Sequence, residues 1–163
     1  MELARNYRDE MGRGNIRGMH GPMLGVLVAD LELDAAIETT VWESLALATT
    51  MAAVATTRRY AWHSIGALGV IELTAPGRSA KTAAGLRRLG LSDRQRRYFD
   101  LHAVLDIKHS EDWNREVLRP VLPATPEVGR YIAEGALMRL RCGAACFARY
   151  GAELWSSAAA VAA

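Results

Sequence analysis

The chain has 163 residues, of which 50% are hydrophobic, 23% charged and 7% aromatic, and its formal net charge is +2. This length predicts one domain, residues 1–163, with enough core to fold unaided. The near-balanced charge and scattered basic residues argue against a nucleic-acid partner. The most apolar run, 45–57, is too short to cross a bilayer, and the charged N-terminus does not resemble a secretory signal. We therefore expect a soluble cytoplasmic protein with no membrane contact.

Apolar residues recur with helical spacing along nearly the whole chain, which predicts an all-α fold. A first helix runs to about Met11, where the glycine-rich stretch GRGNIRG interrupts it. A second helix covers 20–31. A third helical region begins at Asp34 as N-cap, bends near Arg58 and continues to Thr74.

Prolines and capping motifs indicate the helix boundaries in the second half of the chain. Pro76 predicts the start of a helix that Gly90 closes. The stretch SDRQ, 92–95, fits a capping box and opens a helix that ends before Pro120. Thr125, followed by proline, caps the last helix. These signals predict roughly six or seven helices and no sheet.

The stretch FDLHAVLDIKHSEDW places two histidines and an aspartate on one helix face. Because each helical residue advances by about 100°, His102, Asp106 and His109 project from one stripe roughly 60° wide. Leu105 and Trp113 lie on or near that stripe, so we expect it to face inward. Burying these polar groups is costly unless something satisfies them. The pattern alone fits a metal-ligating helix and a pair of hydrogen-bonded core histidines equally well.

Three further residues are weaker candidates for a site. Glu72, in GALGVIELTAP, has apolar neighbours that would make a free carboxylate uncomfortable, although a helix-terminal glutamate reaching water also explains it. Glu10 and His20 flank the glycine-rich break, and on their own they do not indicate a metal. His63 lies about 180° around the predicted helix from Glu72. We therefore assign His63 no metal role.

Three stretches together, DEMGRGNIRGMHGPML, GALGVIELTAPGRSAKTAAGLRRLGLS and YFDLHAVLDIKHSEDW, resemble the haem-oxygenase-like di-iron oxidases and oxygenases, the iron-containing redox enzyme family. The match runs in the family's order over most of the chain. The resemblance implies a haem-oxygenase-like (TenA-like) helical bundle holding two Fe(II) ions, with no catalytic residue beyond the ligands. The implied metal ligands are Glu10, His20, Glu72, His102, Asp106 and His109.

Members of this family use two irons and dioxygen to oxidise small metabolites, many of them in natural-product biosynthesis. The resemblance implies a di-iron oxygenase or oxidase acting on a small amine or amino-acid-derived metabolite. N-oxygenation is preferred, and oxidative C–C cleavage and decarboxylation are the alternatives. An external electron donor is implied as a partner. Only nine residues precede Glu10, so the fold is expected to lack the family's usual N-terminal helices and to pair as a homodimer.

Three residues near the implied ligands are candidates for a supporting role. Tyr7 and Phe99 lie one helical turn from implied ligands and could shape the pocket, although core packing also explains them. Asp112, one turn beyond His109, could orient an imidazole through its second nitrogen, or it could be an ordinary solvated aspartate.

Two alternative functions remain open. One is a metal-binding or ligand-binding helical bundle without turnover. The other is a thiaminase-type hydrolase on the same fold, which needs a nucleophilic cysteine beside the pocket. Cys142 and Cys146 lie four residues apart in the last helix without an obvious basic partner. We interpret them as small buried apolar residues rather than as a redox pair.

Overall fold

The computed structural model describes residues 2–161, and the side chains of residues 2–154. Its α-helices are α1 (Glu2–Glu10), α2 (His20–Asp30), α3 (Trp42–Thr56), α4 (Ala61–Arg88), α5 (Asp93–Trp113), α6 (Arg119–Ala124) and α7 (Gly129–Val161). Residues 2–161 contain no β-strand, only an isolated antiparallel bridge between Met11 and Met19. None of these helices combines the length and apolarity that crossing a membrane requires. The prediction of an all-α protein is confirmed.

The chain divides into two compact units. The first comprises the residues up to Ala35 together with Ile71–Glu127, and it contains α1, α2, α5, α6 and the greater part of α4. The second comprises Ala36–Val70 and the residues from Val128 onward, with α3, the start of α4 and α7. Met23, Leu27 and Trp113 are among the buried apolar residues of the first unit. The prediction of a single domain stays a prediction.

The glycine-rich loop of the first unit turns the chain back between α1 and α2. It consists of two 3₁₀ turns, Gly12–Gly14 and Ile16–Gly18, closed by the bridge between Met11 and Met19. Gly12 has a φ of 59°, and a Cβ there would lie 2.3 Å from the carbonyl carbon of Gly18. Only glycine fits this position. The loop therefore brings the end of α1 beside the start of α2.

Helix α4 differs from the prediction, because it continues through Pro76 instead of restarting there. A proline inside a helix removes one backbone hydrogen bond and costs about 3 kcal/mol. Burial of apolar side chains on both sides of Pro76, those of Ala67 and Ala83, helps to offset that cost. The helix ends at Arg88, just before Gly90, as predicted.

Helix α5 begins and ends where the sequence predicted. Gln95 Oε1 accepts a hydrogen bond of 2.9 Å from the backbone N–H of Ser92, which completes the predicted capping box. The helix ends at Trp113, and a π-helical turn, Asn114–Leu118, follows before Pro120. The capping box therefore sets where this helix begins, whereas its other end passes into the π-helical turn without a side-chain cap.

The buried face of α5 is mainly polar, which is unusual because charged and amide side chains are rarely fully buried unless they are paired. Trp113 is its only buried apolar residue. The buried polar residues are Arg96, His102, Asp106, His109, Ser110 and Asp112. A polar interior of this kind requires hydrogen bonds or a cation to offset its desolvation.

In the second unit, α3 begins seven residues later than predicted, because its N-cap is Val41 instead of Asp34. The side chains of Thr39 and Thr40 both donate hydrogen bonds to the carbonyl of Ala36, at 3.1 and 2.6 Å. Threonine hydroxyls that bond to nearby backbone carbonyls stabilise turns at the expense of helix. The predicted bend near Arg58 is a full break, because the 3₁₀ turn Arg58–Tyr60 separates α3 from α4.

The start of α4 packs against α7 at backbone distance, and this contact supplies a test of the fold. A Cβ added at Gly66 would lie 1.8 Å from the carbonyl oxygen of Ile132. We expect Gly66→Ala to lower the free energy of unfolding by about 1–3 kcal/mol, because the two helices must move apart. Urea denaturation followed by circular dichroism measures this change.

Gly85→Ala is the matched control for Gly66→Ala. Gly85 lies in the same helix, and a Cβ there would meet nothing within 4 Å. Alanine at this position should raise the free energy of unfolding by about 0.5–1 kcal/mol through its higher helix propensity. Two variants with shifts of the same sign would contradict the close packing at Gly66.

Candidate metal centre

The structure brings all six implied ligands together within the first unit, in two groups of three. Group A consists of Glu10, His20 and His102, and group B consists of Glu72, Asp106 and His109. Within each group, one potential ligand atom from every residue lies within 4.8 Å of the others. Five of the six side chains are buried, and that of Glu10 is half-buried. Carboxylates and imidazoles converging in this way are a donor set suited to iron.

Helix α5 supplies residues to both groups. His102 belongs to group A, whereas Asp106 and His109 belong to group B. The exposed fractions of the three residues are 8%, 2% and 4%, so the prediction that this stripe faces inward is confirmed. Glu10 is the last residue of α1, and His20 is the first of α2. The glycine-rich loop between these helices therefore sets the spacing of two members of group A.

In group A, the imidazole of His20 lies close to the carboxylate of Glu10, but the two do not form a hydrogen bond. His20 Nδ1 lies 2.8 Å from Glu10 Oε2, yet the angle is unsuitable, and this buried nitrogen has no hydrogen-bond partner among the described residues. The rings of His20 and His102 contact edge to face, with centroids 4.5 Å apart. A buried nitrogen without a hydrogen-bond partner, close to a carboxylate and a second imidazole, is a position that a shared cation would satisfy.

His102 is held in the tautomer that a metal needs. Its Nδ1 lies 2.6 Å from the carbonyl oxygen of Tyr98, which can only accept, so Nδ1 carries the proton and Nε2 carries the lone pair. Burial lowers the pKa of His102, and the hydrogen bond to Tyr98 opposes this shift only partly. The imidazole is therefore neutral near pH 7, which is the ligating form.

Group B contains an unsatisfied buried carboxylate. His109 Nδ1 lies 3.4 Å from Glu72 Oε2 and 3.6 Å from Asp106 Oδ1. Asp106 Oδ1 is buried without a hydrogen-bond partner in the described part of the chain. An orphaned carboxylate oxygen is costly in a protein interior, and a bound cation would satisfy it.

The electrostatics of the two groups are coupled. Burial and the nearby Glu72 carboxylate raise the pKa of Asp106 to about 7, and the charges of Glu10 and His20 also act on it. The hydrogen bond with Glu72 raises the pKa of His109 to about 9. Even with His109 protonated, the three carboxylates of the two groups leave an excess of negative charge, which divalent cations would offset. The donor set, the orphaned oxygen and this charge all fit two iron ions.

Two supporting residues were not predicted from the sequence, and both lie on α1. Asn6 Nδ2 donates a hydrogen bond of 2.8 Å to Glu72 Oε1, and it lies 3.3 Å from His109 Nδ1. Asp9 Oδ2 lies 3.3 Å from His109 Nε2. Burial alone would raise the pKa of Asp9, but hydrogen bonds from Arg13 and His109 lower it below its ordinary value. Asp9 is therefore ionised and orients the His109 ring.

The supporting role predicted for Asp112 belongs to Asp9 in this structure. Asp112 is buried, but its carboxylate accepts hydrogen bonds from Lys108 and Arg115. Tyr7 is 65% exposed. Phe99 is half-buried and contacts the ring of Tyr98 edge to face, with centroids 5.1 Å apart. The pocket-shaping roles of Tyr7 and Phe99 stay predictions.

Replacing Asp9 tests whether this carboxylate positions His109. In Asp9→Asn the amide can present N–H to Nε2, which favours the tautomer with a proton on Nδ1. We expect iron affinity to fall about 10–100-fold, the usual loss for a carboxylate behind a ligating histidine. Anaerobic Fe(II) titration against a competing chelator measures the affinity. Asp100→Asn is the control, because Asp100 pairs with Arg87 at 3.5 Å and should leave affinity unchanged.

The remaining histidine and the cysteines belong to the second unit. His63 Nε2 lies 3.2 Å from Glu134 Oε2, and its ring contacts those of Tyr60 and Tyr131. Cys142 and Cys146 are free thiols. Cys146 is buried and donates to the carbonyl of Glu43, at 3.2 Å. These contacts are structural pairings within the unit.

Comparison with known proteins agrees with this donor set. A family model described as iron-containing redox enzyme matches residues 1–144. No curated protein and no solved structure matches the chain. The family match and the helices establish an all-α, haem-oxygenase-like fold and an iron-dependent oxidoreductase. The chain belongs to the iron-containing redox enzyme family.

Proposed function

We propose that groups A and B each hold one iron ion, and that the protein is a non-haem di-iron enzyme using dioxygen. The observation that carries this proposal is the convergence of six side chains from four helices into two buried groups, with unpaired donor atoms in each. When bound, a pair of ferrous ions supplies electrons for the reduction of dioxygen. The protein supplies the rest of the chemistry through positioning and burial.

The protein's own residues shield the ligands from solvent and hold them in place. Five of the six ligand side chains are buried, which limits their contact with bulk water. The Tyr98 carbonyl, Asp9 and Asn6 hold His102, His109 and Glu72 in their ligating orientations. Such supporting contacts determine both metal affinity and ligand geometry.

The proposed substrate is a small amine or amino-acid-derived metabolite, with N-oxygenation as the preferred reaction. This step inserts one oxygen atom into an N–H bond and releases the other as water. It consumes two electrons beyond those in the substrate, so an external electron donor is part of the proposal. Oxidative C–C cleavage and decarboxylation at the same site are the alternatives. A role in natural-product biosynthesis, a homodimeric state and a cytoplasmic location stay predictions.

Anaerobic titration with Fe(II), followed by air, tests the proposal. We expect uptake of about two irons per chain, followed by oxygen consumption and a transient visible absorption band. Metal analysis after gel filtration gives the stoichiometry, and an oxygen electrode gives the consumption. Uptake of a single iron, or two irons that do not react with oxygen, would favour a metal-binding protein without turnover.

A further inference from the structure

A cleft of about 470 Å³ in the first unit combines basic and apolar side chains. Arg94 and Arg97 lie three residues apart on α5, and Arg17 lies on the 3₁₀ turn before α2. The apolar wall includes Ile16, Met23 and Val26. A volume of this size is within the range of small-molecule sites, which typically pair an apolar wall with a few polar groups.

The three guanidinium groups of this cleft have few acidic partners. Arg94 lies 3.9 Å from Asp30, which is at the limit of an ion pair. The side chains of Arg17 and Arg97 have no carboxylate partner among the described residues. Guanidinium groups bind planar carboxylates through paired hydrogen bonds, and like charges this close repel a cation. The cleft therefore favours an anion.

A second cavity links this cleft to the candidate metal centre. It measures about 220 Å³, shares Met23 and Arg97 with the cleft, and is also lined by His20 of group A. Its lining also includes Gly12, Arg13 and Gly18 of the glycine-rich loop, and Asp9 at the end of α1. A molecule held by the arginines can thus extend along Met23 towards group A.

We infer that this cleft is the substrate site and that the substrate carries a carboxylate on an apolar body. The inference rests on the proposed function, and it narrows the substrate class to organic acids, including amino-acid derivatives. The carboxylate pairs with Arg17, Arg94 and Arg97, while the apolar body lies against Met23 and points towards His20. A simple alkylamine, which carries only positive charge, is excluded.

Binding of octanoate, octanol and octylamine tests the head-group preference, since the three share one alkyl chain. Isothermal titration calorimetry is performed anaerobically on the iron-loaded protein and on the metal-free protein. We expect octanoate to bind at least about tenfold more tightly than either of the others. Equal affinities, or tighter binding of octylamine, would overturn the inference. Inorganic phosphate binding as tightly as octanoate would also overturn it, because the apolar wall would contribute nothing.

The double variant Arg17→Gln/Arg97→Gln tests the residues. It should weaken octanoate binding by about tenfold and leave iron uptake at the wild-type level. Arg141→Gln on α7, in the second unit, is the control and should change neither. Octanoate affinity that falls no further than in this control would overturn the inference. If the wild-type protein takes up iron but does not bind octanoate, the substrate-site inference is wrong and the proposed function is unaffected. If it binds octanoate but takes up no iron, the proposed function is wrong and the anion site is unaffected.

Discussion

His109→Ala is expected to abolish iron binding at group B, so that uptake falls from about two irons per chain to at most about one. His109 provides the only imidazole of that group, and its ring contacts both of the group's carboxylates. Removing it leaves Glu72 and Asp106 as two buried carboxylates in close range, whose repulsion favours protonation over metal binding. Anaerobic Fe(II) titration with metal analysis gives the stoichiometry.

His63→Ala is the matched control, because it deletes the same side chain from the second unit. It removes the pairing with Glu134 and the ring contacts with Tyr60 and Tyr131. We expect a loss of stability of about 1 kcal/mol and unchanged iron uptake. Circular dichroism shows whether both variants keep their helices. A similar loss of iron in the two variants would mean that group B does not bind metal.

The helix α5 and its ligand stripe could be predicted from the sequence because local rules determine both. The capping box at Ser92 fixes where the helix begins, and helical geometry then places His102, Asp106 and His109 on one face. Their burial follows from Trp113 on the same side. The partners of this stripe on other helices were suggested only by the family resemblance, since spacing along a sequence does not reveal which helices pack together.

The two helix starts that were predicted wrongly, at Pro76 and after Asp34, share a physical cause. In both cases packing, or side-chain hydrogen bonds to the backbone, outweigh local helix propensity. Pro76 is a strong helix breaker, yet the burial of α4 on both sides keeps the helix intact. Asp34 is a good N-cap residue, yet the threonines that follow stabilise a turn. Neither outcome can be deduced from propensity alone.

Asn6 and Asp9 are polar, so the spacing of apolar residues does not reveal their role. Glu2, Asn6 and Glu10 are spaced four apart, so they share one face of α1, and the first two are buried. This polar stripe ends at the proposed ligand Glu10, and that pattern in the sequence could have indicated that this face of α1 lies against the site. Asp9 lies beside that stripe, and only the structure shows that its carboxylate reaches His109.

Iron affinity is expected to rise steeply with pH between 6 and 8, because the ligands of group B bind protons in the metal-free protein. The pKa of Asp106 is raised to about 7 by burial and by Glu72, and that of His109 is raised to about 9 by its hydrogen bond with Glu72. A metal must displace both protons below pH 7 and only that of His109 between pH 7 and 9. Affinity should therefore change up to about a hundredfold per pH unit below pH 7 and about tenfold above it.

The free energy of unfolding of the metal-free protein should fall as the pH rises, in contrast to the iron affinity. Both pKa values are higher in the folded chain than their ordinary values of 3.8 and 6.5, so the folded chain binds more protons than the unfolded one. The contribution of Asp106 is lost as the pH rises from about 4 to 7, and that of His109 as it rises from about 6.5 to 9. Urea denaturation at pH 5, 7 and 9 should give a falling free energy of unfolding.

Asp106→Asn distinguishes the contributions of the two protons to the pH dependence of iron affinity. Asparagine cannot titrate, so iron that binds weakly to this variant should displace only the proton of His109. We expect the slope of log affinity against pH below pH 7 to fall from about two to about one, while the slope above pH 7 is unchanged. Chelator competition at several pH values measures both slopes. A wild-type affinity that is flat from pH 6 to 8 would mean that iron does not displace these protons, and group B would then not be its site.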